Sequence, residues 1–106
     1  MMLRLCATNH VPEGQGRKVE TEEGDFAVFN LGGVFFVTQN ACSHGPGHLG
    51  EGRVLGDEVE CAAHAGRFDI RTGRATAEPC WEPLLVWDVT IEDDQVCIRL
   101  DQGRTA

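Results

Sequence analysis

Two short groups of residues, Cys42-Ser43-His44 and Cys61-Ala62-Ala63-His64, offer chemistry that the rest of this 106-residue chain does not. Each sets one potential thiolate beside one imidazole in a tight loop. The sixteen residues between them include Gly45, Gly47, Gly50, Gly52 and Gly56. That donor set suits a metal site better than a nucleophilic triad or a phosphate cradle. A structural zinc ion accepts two Cys and two His, but the common zinc spacings keep like with like, as C-x2-C followed by H-x3-5-H. Here each loop mixes the types, which lets both sulfurs bind one metal ion and both imidazoles a second.

The elements that must hold these loops are short and strand-like. Leu3-Arg4-Leu5-Cys6 alternates weakly and predicts a first edge strand, ended by the breaker Val11-Pro12-Glu13-Gly14. Asp25 to Leu31 and Val34 to Gln39 flank Gly32-Gly33, a hairpin signal because paired glycines tolerate the positive φ of a primed turn. Asn40 and Ala41 then lead into the first loop. Gly52 to Glu60 reads as two strands about Gly56-Asp57, the second delivering Cys61. Arg67 to Ile70 carries the chain away toward a turn at Arg71-Thr72-Gly73. Pro79 and Pro83 exclude the segment Glu78 to Pro83 from regular sheet, since each proline lacks a ladder donor.

Leu84 to Ile91 and Val96 to Leu100, joined across Glu92 to Gln95, predict a closing hairpin in which Trp87 shares a buried face with Leu85 and Val89. No 3.6-residue periodicity is sustained anywhere. Short strands separated by glycine turns indicate an all-β sandwich or barrel, and the length suits a single domain over 1–106.

A net charge of -8 argues against nucleic acid and anionic membrane as partners, and suits equally brief docking on basic protein surfaces or simple solubility. The longest apolar run, Val34 to Val37, is far short of the ~18 residues of a membrane helix, and the N-terminus lacks a signal pattern, so a cytoplasmic location is expected. Five cysteines are an odd number for a disulfide framework. Cys6, Cys80 and Cys97 read as small core hydrophobes.

The C-x-H and C-x2-H groups at this separation resemble the Rieske family. The flanking Gly66-Arg67-Phe68-Asp69 and Arg71-Thr72-Gly73 are similar to the ferredoxins of aromatic-ring dioxygenase systems, such as those acting on biphenyl or naphthalene, and the likeness runs from about Leu5 to Leu100. It implies one [2Fe-2S] cluster, with Cys42 and Cys61 as thiolates on the inner iron and His44 and His64 as neutral imidazoles on the outer one. It also implies a Rieske fold: an antiparallel β-sandwich or barrel base from residues 1–40 and 75–106, and an inserted cluster-binding subdomain at 41–74. Its proline-containing loop would cover the cluster from one side. Trp81 in that loop reads either as docking surface or as a ring near the cluster that excludes water.

The function implied is a monomeric one-electron carrier between a flavoprotein reductase and a Rieske oxygenase, in aromatic hydrocarbon catabolism. No catalytic site of its own is expected, because no G-x-G-x-x-G sits directly between a strand and a helix and no two-His, one-carboxylate group is evident. The small subunit of an assimilatory nitrite reductase is the alternative of similar size and fold.

Several positions depart from, or add to, the motif. High-potential Rieske proteins carry loop cysteines, a Ser and a Tyr where this chain resembles them with Gly47, Ala63, Gly66 and Phe68. Without a loop disulfide or hydroxyl donors, a potential near the low end of the Rieske range, roughly -150 mV, is expected. Ala62 and Ala65 stand where many relatives have Pro and Gly. Gly45, Gly47 and Gly66 are expected to point backbone N–H groups at the sulfurs. His48 is expected at the surface or beside the ligands, and Arg67 with Asp69 as a solvated polar pair.

Overall fold

The computed structural model describes residues 2–43, 45–61, 65–78 and 81–105, and three antiparallel sheets account for nearly all of its regular structure. The first is β1 (Met2–Ala7), β11 (Gln95–Arg99) and β10 (Val89–Glu92), in that order. The second runs β2 (Gln15–Thr21), β3 (Gly24–Leu31), β4 (Val34–Gln39) and β9 (Val86–Trp87). The third is a small sheet of β5 (Arg53–Leu55), β6 (Glu58–Glu60), β7 (Arg67–Asp69) and β8 (Ala75–Ala77). The all-β expectation holds, and the few helical turns are single 3-10 turns such as Leu49–Glu51.

β3 explains why there are two cores rather than one. Its run Phe26-Ala27-Val28-Phe29 is buried throughout, so alternate side chains face opposite ways into apolar surroundings. Phe26 and Val28 join Val11, Val19, Val37, Val96 and Ile98. Ala27 and Phe29 join Cys42, Leu49, Val59, Cys61, Phe68, Ile70 and Leu84. One strand thus serves as the wall between the core of the base and the core beneath the two cysteine loops. A fully buried Phe or Val contributes about 1.5–3 kcal/mol, so Phe26 and Val28 on one face and Phe29 on the other tie the two cores together through β3.

The hairpin at Gly32-Gly33 forms as expected: Leu31 pairs with Val34, and the two glycines have φ of 65° and 93°. Buried Asn30 closes it, its Oδ1 accepting from Gly33 N at 2.7 Å while its Nδ2 donates to Val11 O at 2.8 Å. The turn at Gly56-Asp57 likewise joins β5 to β6.

Two expectations require correction, and two strands carry no signal in the sequence. Residues 84–91 do not form one strand: β9 pairs with β4, β10 pairs with β11, and the chain changes sheet at exposed Asp88. Of the expected buried face, Trp87 and Val89 pack against the base core, but Leu85 is exposed and its neighbours Leu84 and Val86 are inside. Trp87 is half-buried, edge-on to Phe26 at 5.1 Å, with Nε1 donating to Leu100 O at 3.2 Å. β2 was not foreseen, because Gln15 to Thr21 is mostly polar and charged; only Val19 is buried along it. Its Gly16 sits against the Phe29 ring so closely that a Cβ there would lie 2.6 Å from the ring edge. β8 was also missed, three small residues recruited by pairing with β7.

Candidate metal centre

Two loops of equal span bring the cysteines into one core. In the first, Cys42 N–H donates to Gly47 O at 3.2 Å; in the second, Cys61 N–H donates to Gly66 O at 2.8 Å. Both are bonds from residue i to residue i+5, so each cysteine opens a closed six-residue loop. Inner bonds tighten both: Gly45 N–H to Cys42 O at 3.3 Å, and Ala65 N–H to Cys61 O at 2.9 Å. Ala65 meets this demand with φ of 58°, a left-handed conformation costly for any residue bearing a Cβ.

Among the described residues, each loop holds a buried cysteine and an exposed residue farther along. Cys42 and Cys61 are buried among Phe29, Leu49, Val59 and Phe68, while Pro46 and Ala65 on the loops are exposed. The thiol end of the site is therefore dry and the far end wet. That gradient fits a two-metal group whose thiolate-bound ion lies inside and whose other ion faces solvent. His44 and His64, the two imidazoles expected to complete the set, lie outside the described residues. Among the described residues, no group of three or more His, Cys, Asp and Glu offers a rival site.

The first loop is held from below by Asn40, which is almost completely buried. Its Oδ1 accepts from Gly50 N at 2.9 Å, its backbone O accepts from Leu49 N at 2.8 Å, and its amide nitrogen lies 3.0 Å from Nδ1 of exposed His48. Nothing in the sequence marked Asn40 beyond its place just before the loop. A Cβ on Gly50 would come within 2.4 Å of Lys18 N, so glycine is needed where the 3-10 turn crosses β2.

Gln39 and Ser43 clip a second segment onto this loop. Gln39 Nε2 donates to Ala41 O at 2.7 Å, while its Oε1 accepts from Leu85 N at 2.8 Å. Ser43 Oγ donates to Glu82 O at 2.6 Å. The segment after Pro79 thus packs beside the first loop. Pro79 and Cys80 themselves lie outside the described residues.

Several details depart from the sequence reading. Gly45 gives its N–H to the Cys42 carbonyl, and Gly47 and Gly66 close the loops through their carbonyls, a role the sequence did not mark. Arg67 does not pair with Asp69: it lies 3.8 Å from Glu58 and 3.6 Å from Glu60, across the β6–β7 ladder. Asp69 instead caps the following turn, its Oδ1 accepting from Arg71 N at 2.8 Å and Thr72 N at 3.2 Å. Cys97 is buried as expected, whereas Cys6 is only half-buried. Burial pushes both thiols above their ordinary range; Arg17 opposes the rise at Cys6, and the Glu92 carboxylate adds to it at Cys97.

Loops of this kind at the end of a β-sheet base are decided by comparison with known proteins: the model of the Rieske [2Fe-2S] domain matches residues 1–91. The chain belongs to the Rieske family. Its cofactor is accordingly a Rieske-type [2Fe-2S] cluster. This Rieske chain is 46% identical over 99 residues to the ferredoxin component of the p-cumate 2,3-dioxygenase system of Pseudomonas putida, covering 92% of this chain and 84% of that one. Among solved structures it is similar to the Sphingomonas yanoikuyae B1 ferredoxin, with 44% identity, a TM-score of 0.88, and 92% and 97% of the two chains covered. It is also similar to a structure of the reduced oxygenase and oxidized ferredoxin of carbazole 1,9a-dioxygenase in complex, at 31% identity and TM-score 0.89, covering 99% and 97%. Likeness to a nitrite reductase small subunit, at 22% identity and TM-score 0.76 over 93% and 98%, is one of fold alone. Among the described residues, no helix is long and apolar enough to cross a membrane.

Proposed function

We infer that this chain is the ferredoxin component of a multicomponent aromatic-ring dioxygenase system, a cytoplasmic carrier that takes single electrons from a flavoprotein reductase and gives them to a Rieske oxygenase. The observation that carries the reading is the pair of matched loops, each opened by a thiol buried in one shared core. The ligands proposed are Cys42 and Cys61 on the inner iron, and His44 and His64 on the outer. A cluster held this way supplies a one-electron couple, raised above that of an all-thiolate cluster because two imidazoles replace two negative thiolates.

The chain's own residues do the rest. Phe29, Leu49, Val59 and Phe68 keep water from the sulfurs, and Asn40 with the two i to i+5 bonds holds the loops in one geometry, so little rearrangement need accompany charge transfer. We propose a division into a base and an inserted cluster unit near the expected bounds of 1–40 and 75–106 against 41–74, with β8 (Ala75–Ala77) joining the cluster unit because it pairs with β7. The shared wall of β3 supports their moving as one body.

Relatives at 30% identity and above that are ferredoxins of dioxygenase systems support this reading over the nitrite reductase alternative. A direct test combines the cluster-loaded chain with a flavoprotein reductase and the oxygenase of the p-cumate system. Product formation that depends on this chain, and is lost in Cys42→Ser, is expected. Equal turnover with and without it would overturn the proposal.

A further inference from the structure

We propose that Trp81 is the anchor by which this chain docks its oxygenase, its indole entering an apolar recess on a partner face whose rim is basic. The inference rests on the carrier reading above and names the surface and partner chemistry for it. Trp81 is 79% exposed, the most exposed of the large hydrophobic side chains described, whereas the other tryptophan, Trp87, is packed on Phe26 and bonded to Leu100. An indole left in water forgoes the stabilisation that burying so large a ring would bring, and a partner surface can supply it.

Its backbone is not loose. One residue on, the Glu82 carbonyl accepts from Ser43 Oγ at 2.6 Å. Four residues on, Leu85 O accepts from Gln39 N at 2.9 Å and Leu85 N donates to Gln39 Oε1 at 2.8 Å, while Nε2 of the same side chain donates to Ala41 O. Between them, Leu84 N donates to Gly73 O at 2.8 Å and its side chain is fully buried. Trp81 is thus presented on a segment stapled to the loop that opens at Cys42. Leu85, 40% exposed, widens the apolar surface on the same segment. A pre-positioned aromatic that sacrifices little freedom on binding is the kind of residue that carries interface energy.

Charge identifies the partner's chemistry. Segments 42–52 and 78–85 contain Glu51, Glu78 and Glu82, all exposed, and no Lys or Arg. An indole on a segment that carries Glu78 and Glu82 and no cation fits a recess ringed by cations, and the net charge of -8 steers the whole molecule toward such a face. Contact through Trp81 also keeps the first loop, and so the proposed electron exit, against the partner.

The test uses the cluster-loaded full chain with the reductase and oxygenase of the p-cumate system, comparing wild type, Trp81→Ala, Trp81→Phe and the double variant Glu78→Gln/Glu82→Gln. Trp81→Ala is expected to raise the KM for this chain in oxygenase turnover about tenfold or more. Trp81→Phe should recover part of that loss. The KM for reduction by the reductase, the midpoint potential and the visible spectrum should not move. The double Gln variant should flatten the rise of KM with ionic strength. An unchanged oxygenase KM for Trp81→Ala, or a rise confined to the reductase step, would overturn the proposal. Wild type failing to support turnover at all would instead overturn the carrier reading, and the wild-type arm separates the two.

Discussion

The side chain of Asn40 donates a hydrogen bond from Nδ2 to Nδ1 of His48 across 3.0 Å. The direction follows from the other end of the amide: Oδ1 already accepts from Gly50 N, so the nitrogen must face the imidazole, and a nitrogen that only donates requires a bare lone pair on Nδ1. Residues 40 and 48 thereby pinch together the loop that Cys42 opens, and the β-bridge between Ala41 and His48 reinforces the pinch.

Removing this clamp should loosen the metal loop before it unfolds the base. Asn40→Ala leaves the buried Gly50 N–H without its acceptor, at a cost of about 1–3 kcal/mol. The expected result is a thermal bleaching of the cluster absorbance that comes about 4–8 °C lower per kcal/mol lost. Asn40→Asp keeps the acceptor for Gly50 but sets a carboxylate against the Nδ1 lone pair, and should show an intermediate loss. Scanning visible absorbance and far-UV ellipticity in parallel checks both.

Ala65 predicts a stabilising substitution. Its φ of 58° strains an alanine, and glycine adopts that conformation without penalty. Ala65→Gly should therefore raise stability by about 0.5–1 kcal/mol. Chemical denaturation of the cluster-loaded protein measures it, and a fall in stability would mean that the loop does not need a left-handed residue there.

Phe68 is where a hydroxyl donor would matter for electron affinity. It is fully buried in the core that holds Cys42 and Cys61, pairs with Val59, and offers no hydrogen bond to sulfur. A tyrosine hydroxyl within reach of a thiolate favours the more negative reduced state. Each 1.4 kcal/mol of such preference raises a one-electron midpoint by about 60 mV. Phe68→Tyr should shift the potential upward from roughly -150 mV, as followed by a dye-mediated titration. A wild-type value above about +100 mV would contradict the low-potential assignment.

The buried thiols predict a loss of stability in alkali. In the unfolded chain Cys6 and Cys97 release their protons at about pH 8.5, whereas burial raises both in the folded protein. Below the unfolded value both states are protonated and the contribution is complete. As pH rises toward the folded values, the unfolded state loses protons first and stability falls, by at most about 1.4 kcal/mol per pH unit for each thiol. Wild type should lose more stability between pH 8 and 10 than Cys6→Ala/Cys97→Ala does, by denaturant titration at each pH.

What could be read from the sequence was local. The Gly32-Gly33 hairpin and the Gly56-Asp57 turn announce themselves because positive φ is a property of single residues. The metal loops do so because ligand type and spacing are covalent facts. What could not be read depends on partners far along the chain. β2 is polar yet becomes a strand because β3 lies beside it, and Gly16 makes room for Phe29 in a way no spacing shows. The corner at Asp88 exists because β4 and β11 compete for one continuous apolar segment. Asn40 looks like an ordinary loop residue until Gly50 and His48 are folded onto it.

The central claim is that a pair of irons is held by two sulfurs and two imidazoles, from Cys42, Cys61, His44 and His64. Pulsed electron paramagnetic resonance of the dithionite-reduced protein tests it most directly. Strong couplings from two ligating imidazole nitrogens, one lost in His44→Cys and one in His64→Cys, are predicted. A reduced spectrum without nitrogen coupling, as all-thiolate ligation gives, or purified protein lacking iron, would contradict it.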